Sequence, residues 1–179
     1  MTQAPTLGQE LWERITDPEV YPASAAASAE SDALLSEGSC SLQETRCAVP
    51  GGELVVRFAG DPPAWLRPAL GALAELLWLP ADWDSYGALP VDPAHVHAML
   101  QVLALVMRDD TPVPSVCPTN RGGVQVEWHE RGIDLEIETL SAYTLGVSFE
   151  DSLTGTEWDR EVDADLSPLI SCIADLSSR

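Results

Sequence analysis

The sequence predicts an α+β fold in which an αα-hairpin and a C-terminal helix pack on an antiparallel β-meander, behind an N-terminal helical arm. Two observations carry this expectation. Val96, Met99, Leu100, Leu103, Val106 and Met107 recur at the 3.6-residue spacing of a helix. From Val124 onward the period becomes two, with Val124, Val126 and Trp128, then Ile133, Leu135 and Ile137, alternating with polar neighbours as half-buried strands require.

Taken in order, Leu7, Leu11, Trp12 and Ile15 form the apolar stripe of a short helix that stops near Asp17-Pro18. A Pro/Ala/Ser-rich connector follows, so residues 1–35 read as an arm and residues 36–179 as one domain. Pro50-Gly51-Gly52 separates Leu42–Val49 from a run in which Leu54, Val56 and Phe58 share a face, which is the pattern of a hairpin. Asp61-Pro62-Pro63 signals helix entry. Because Pro68 is expected to break a helix already under way, the sequence predicts one turn over residues 62–66 and then a helix over 68–79 with Leu70, Leu73, Leu76 and Leu77 inward.

A compact corner, Leu79-Pro80-Ala81-Asp82-Trp83-Asp84-Ser85-Tyr86-Gly87-Ala88-Leu89-Pro90, joins this helix to the next. Its prolines restrict the backbone and its glycine permits positive φ, so it should be ordered. Trp83 and Tyr86 are expected to bury their rings against the flanking helices, and Asp82 and Asp84 to accept hydrogen bonds from backbone amides. Asp92 as N-cap and Pro93 at the first position open the second helix, which Thr111-Pro112 closes. Strands are then expected over 113–118, 124–129, 133–138 and 143–149, with Trp158 and Val162 extending the meander. Ser167-Pro168 opens a last helix with Leu169, Ile170, Ile173 and Leu176 inward.

Composition restricts function. Twenty-nine acidic residues against nine basic ones leave a formal charge of −20, which repels nucleic-acid backbones and anionic membranes. Every basic residue is arginine. No stretch approaches the length of a membrane span and no leader pattern is present, so the expected compartment is a bacterial cytoplasm. Cys40, Cys47, Cys117 and Cys172 make no C-x-x-C pair. They read as reduced thiols, with Cys40 and Cys47 alone close enough in sequence to test for a disulfide.

The electrostatic feature is a sheet face. Opposite the apolar positions of the meander stand Gln125, Glu127, His129, Asp134, Glu136 and Glu138, and a hairpin closing at residues 130–132 brings Glu127 near Glu136. Such a face is either simply solvated or relieved by a basic partner or a cation. Asp82, Asp84 and Gly87 overlap the start of a calcium loop, but Tyr86 and Pro93 stand where that loop needs oxygen ligands, so neither a metal nor another cofactor is assigned. His95 and His97 are two apart on a helix and face different ways; His129 has no histidine near it in sequence.

The motifs Leu79-Pro80-x-x-Trp83-Asp84-x-Tyr86-Gly87-Ala88 and Pro118-Thr119-x-x-Gly122-Gly123-x-x-x-Glu127-Trp128 resemble those of a widespread group of small, uncharacterised bacterial proteins. The resemblance covers residues 70–140 and brings no activity or catalytic residue with it. It implies that Trp83, Asp84, Tyr86, Gly87, Gly123, Glu127 and Trp128 belong together.

The charge and the lack of catalytic motifs favour a non-enzymatic module, such as an adaptor, accessory subunit, antitoxin or immunity protein, that engages a basic protein surface. Its expected contacts are Trp83, Asp84, Tyr86, Glu127, His129, Asp134, Glu136 and Glu138. Two alternatives stand beside it: a nucleic-acid mimic that inhibits a DNA-binding protein, and a metal-dependent hydrolase using Asp82, Asp84 and His95.

Overall fold

The computed structural model describes residues 42–179, so the expected N-terminal helix, its connector and the boundary at residue 35 lie outside the described residues, as does Cys40 and therefore its pairing with Cys47. Strands β1 (Leu42–Val49) and β2 (Gly52–Ala59) form a two-stranded antiparallel hairpin that turns at Pro50-Gly51, with Gly51 at φ +84°. Helix α1 (Leu66–Leu76) and helix α2 (Pro93–Val106) follow. Strands β3 (Ser115–Pro118), β4 (Val124–Glu130), β5 (Ile133–Thr139), β6 (Leu145–Asp151) and β7 (Thr156–Val162) then pair antiparallel in sequence order, and helix α3 (Ser167–Ser178) ends the chain. This is the expected α+β meander. Among the described residues no helix is long and apolar enough to cross a membrane.

One core joins the layers. Leu70 and Leu73 of α1, Met99 and Leu103 of α2, and Leu169, Ile173 and Leu176 of α3 are fully buried with Trp128, Leu135 and Ile137 on the inner face of the sheet. Trp128 satisfies its one polar atom by donating from Nε1 to the Pro112 carbonyl, 2.8 Å away. At the exposed end of the layer, Trp158 stacks on Phe149 with ring centroids 5.5 Å apart, and the Arg160 guanidinium covers its other side 3.8 Å from the ring centroid.

Several expectations are corrected. Helix α1 begins at Leu66, not Pro68, because Pro68 sits in the first turn, where an amide has no acceptor inside the helix and its loss costs nothing. Beyond Leu76 the amides of Leu77, Trp78 and Leu79 reach back three residues, to Ala74, Glu75 and Leu76, so the expected end at 79 is a tightened continuation of the helix. Strand β3 starts at Ser115, since Pro112 and Pro114 have no amide to give a ladder. Tyr143 lies in the turn before β6 and is exposed. In α3 the buried set is Leu169, Cys172, Ile173 and Leu176, while Ile170 is half exposed. The N-cap of α3 is Leu166, which has no capping side chain; one residue earlier, Asp165 accepts from the Ser167 amide at 3.0 Å.

The C-terminus of α3 is tied to the sheet twice. The Arg131 guanidinium donates to the Leu176 and Ser177 carbonyls at 2.9 and 3.2 Å, placing a cation at the C-terminus of α3. Arg179 reaches the buried Asp151 at the end of β6, with a 2.9 Å contact between Nη1 and Oδ1.

Candidate functional site

The corner between α1 and α2 is held by its carboxylates. Asp82 accepts from the Gly87 amide at 2.7 Å, and one oxygen of Asp84 accepts from the Tyr86 and Ala88 amides at 2.8 and 3.1 Å. Asp82, Ser85 and Gly87 all have positive φ (61°, 64° and 91°), so the chain coils tightly and the two aspartates supply the partners its amides need. The rings do not behave as expected: Trp83 is half-buried, its Nε1 donating to the Leu89 carbonyl at 3.3 Å, and Tyr86 is 93% exposed. A ring at the tip of so tight a turn points away from both helices. Because Asp82 and Asp84 each commit an oxygen to this turn, they are poor candidates for metal ligands.

The two motif segments do meet, though at other residues. The Leu89 amide donates to the Asn120 carbonyl at 3.0 Å and the Asp92 amide to the Gly122 carbonyl at 2.9 Å. A Cβ on Gly122 would stand 2.8 Å from the Pro90 carbonyl oxygen, and one on Gly123 would stand 2.8 Å from both Thr119 Oγ1 and the Thr139 carbonyl oxygen. Gly122 is what allows the corner to lie against the β3–β4 turn, and Gly123 lets that turn close on Thr119 and Thr139. Glu127 and Trp128, in contrast, are neighbours on β4 and face opposite sides of the sheet.

His95 lies near this junction, in a small polar pocket of about 210 Å³ with Thr119, Arg121, Glu138 and Thr139. Its buried Nδ1 has no hydrogen-bond partner. Neither Asp82 nor Asp84 lines that pocket, so the carboxylate–histidine constellation of the hydrolase alternative is not gathered there.

The outer face of the sheet is larger than the sequence suggested. Cross-strand register sets Glu127 opposite Glu136, Gln125 opposite Glu138, and His129 opposite Asp134. It then continues these rows across β6 and β7: Asp134 to Glu150 to Glu157, Glu136 to Ser148 to Asp159, and Glu138 to Gly146 to Glu161. Glu150, Glu157, Asp159 and Glu161 were missed, although their alternation with Phe149, Trp158 and Val162 was legible as a period of two. With no side chain at Gly146, a groove of about 360 Å³ opens there beside Glu136, Glu138, Asp159 and Glu161. Among the described residues, only Arg121, 3.4 Å from Glu138, and His129 form ion pairs with these carboxylates. The helical layer differs sharply: α2 has no charged residue, α1 has Arg67 against Glu75, and α3 has Asp175 alone.

His129 has no companion in sequence but has three in space. Its Nδ1 lies 2.6 Å from Asp134 and its Nε2 3.2 Å from Glu127, and hydrogen bonds to these two carboxylates raise its pKa above the ordinary value. Gln125 Nε2 donates to Glu127 at 2.8 Å and to Glu136 at 3.1 Å, bridging the two opposed carboxylates. Glu127, His129 and Glu136 thus form one group whose donor atoms lie within 4.8 Å of each other. Cys117, beside them on β3, is pushed up in pKa by burial and then by Glu127, which leaves it a thiol and a poor nucleophile. Comparison with protein-family models, with curated proteins and with solved structures returns no match to this chain.

Proposed function

We propose that this protein is a non-enzymatic binding module whose outer sheet face engages a basic protein surface. One observation carries the reading: the carboxylates of β4 to β7 stand in registered rows on one face, with Arg121 and His129 alone among the described residues pairing with them, while the helices behind are nearly uncharged. Holding like charges opposite one another destabilises the free protein by about 0.2–1 kcal/mol per pair. Arginine or lysine from a partner relieves that repulsion, and the groove at Gly146 is of a size to take one such side chain. The patch covers four strands, about 14 Å across at ordinary strand spacing. That compact shape suits a protein partner better than a mimic of an extended phosphate track. In this reading the two shared motifs are scaffold, building the junction from which the sheet extends.

The test compares two variants of equal net charge. One neutralises the outer face (Glu136→Gln, Glu138→Gln, Asp159→Asn, Glu161→Gln) and the other neutralises exposed carboxylates elsewhere (Asp61→Asn, Glu75→Gln, Asp109→Asn, Asp163→Asn). A basic protein from the host should be retained by the wild type and by the second variant and lost from the first. It should also be released as salt rises from about 0.05 M to about 0.5 M. Equal retention by both variants, or no retention at low salt, overturns the proposal.

A further inference from the structure

We infer that Glu127, Glu136 and His129 form a binding site for one divalent transition-metal ion on the outer face of the sheet. The claim does not rest on the acidic patch as a whole. It rests on a mixed nitrogen and oxygen donor set, one imidazole and two carboxylates, whose ligating atoms are already within 4.8 Å of one another. The side chains come from the adjacent central strands β4 and β5, whose register fixes Glu127 directly opposite Glu136 and leaves His129 two residues along on the same face. Bonds of about 2.0–2.2 Å to an ion then need only rotations of these side chains, with no movement of the backbone.

The surrounding contacts resemble those that orient ligands in established metal sites. Asp134 binds Nδ1 of His129 at 2.6 Å and so leaves Nε2 as the metal-facing atom, aimed at Glu127. Gln125 bridges the two glutamates and holds them together against their mutual repulsion. Among the described residues no arginine pairs with Glu127 or Glu136, although arginines do pair with Glu44, Glu53, Glu130, Glu138 and Asp151. Two carboxylates and a neutral imidazole carry a charge of −2, which a dication neutralises. An imidazole in the set favours zinc, copper, iron or nickel over magnesium or calcium, which prefer all-oxygen sites.

The experiment is calorimetric titration of the chelator-treated full-length protein with Zn²⁺, and separately with Mg²⁺, in a non-coordinating buffer. One saturable Zn²⁺ site per chain is expected, with Mg²⁺ binding far more weakly. His129→Ala and the pair Glu127→Gln, Glu136→Gln should abolish it, and Asp134→Asn should weaken it about 10- to 100-fold. Glu157→Gln with Glu161→Gln, on the same face but outside the ligand set, should leave it unchanged. These positions are half-buried or exposed, so circular dichroism should report a folded chain for every variant. The inference is overturned if no stoichiometric binding occurs or if His129→Ala binds as the wild type does, since zinc would then be held by thiols or loosely by the acidic patch. Either result leaves the basic-partner reading standing, because that reading is tested by retention of a basic protein in the absence of added metal and not by metal binding.

Discussion

Single residues decide how the two motifs meet. Gly122 has φ +83° and passes so near the Pro90 carbonyl that an added Cβ would lie 2.8 Å from its oxygen. Gly122→Ala should therefore lower stability by about 1–3 kcal/mol in urea unfolding, combining backbone strain with the clash. Asp84 is a second test. Asp84→Ala leaves the Tyr86 and Ala88 amides without their acceptor and should cost about 1–2 kcal/mol, while Asp84→Asn keeps an acceptor oxygen and should cost less. The role of these aspartates as turn acceptors was legible in the sequence, because Asp in a Gly- and Pro-bounded turn has few other uses. The place of Tyr86 was not. Ring size favours burial only where there is something to bury against, and which side of the turn a ring takes depends on the positive φ values at Asp82 and Ser85, which no spacing rule reveals. The acidic face around His129 was legible, since a hairpin closing at residues 130–132 sets Glu127 opposite Glu136, but the hydrogen bonds of His129 to Asp134 and Glu127 depend on side-chain rotamers that no spacing gives.

At the scale of elements, period carried most of the information. The stripes of α2 and of strands β4 to β6 were recovered with small errors at their ends, where caps and prolines compete. The instructive errors are Pro68, read as a breaker when it belongs to a first turn, and Ile170, read as inward when Cys172 takes the core position. Leu169, Cys172, Ile173 and Leu176 are spaced i, i+3, i+4, i+7, so cysteine acts here as a small apolar side chain; burial pushes its thiol up to about 11. Thermal or urea denaturation separates the two isoleucines of α3. Ile173→Ala should destabilise by about 2–5 kcal/mol, because a fully buried side chain leaves a cavity, whereas Ile170→Ala should change stability by under about 1 kcal/mol.

The whole molecule is closed by a contact between distant parts of the chain, Asp151 at the end of β6 and Arg179 beyond α3. The Arg179 guanidinium, helped by the Thr154 hydroxyl and the Leu153 and Thr154 amides, holds the Asp151 carboxyl well below its ordinary value of 3.8. A carboxyl lowered in the folded state contributes stability that is fully present above that ordinary value and is lost as pH falls toward the folded one. Arg179→Ala should thus reduce the urea midpoint at pH 7. The difference between variant and wild type should shrink as pH falls below about 4, because the unfolded chain then takes up a proton on Asp151 that the folded wild type does not. Equal midpoints at pH 7 would show that the pair does not secure α3.

Charge is also distributed unevenly between the two layers of the described residues: rows of carboxylates on one side of the sheet, almost none on the helices behind it. Placed in this way, the carboxylates concentrate negative potential on the sheet side. In dilute salt the field extends roughly a Debye length, about 10 Å at 0.1 M, so a positively charged surface approaching from any direction experiences a torque before it makes contact. A basic partner of the kind proposed would be turned toward the sheet face before contact, and ionic strength should then change how fast it associates more than how long it stays bound.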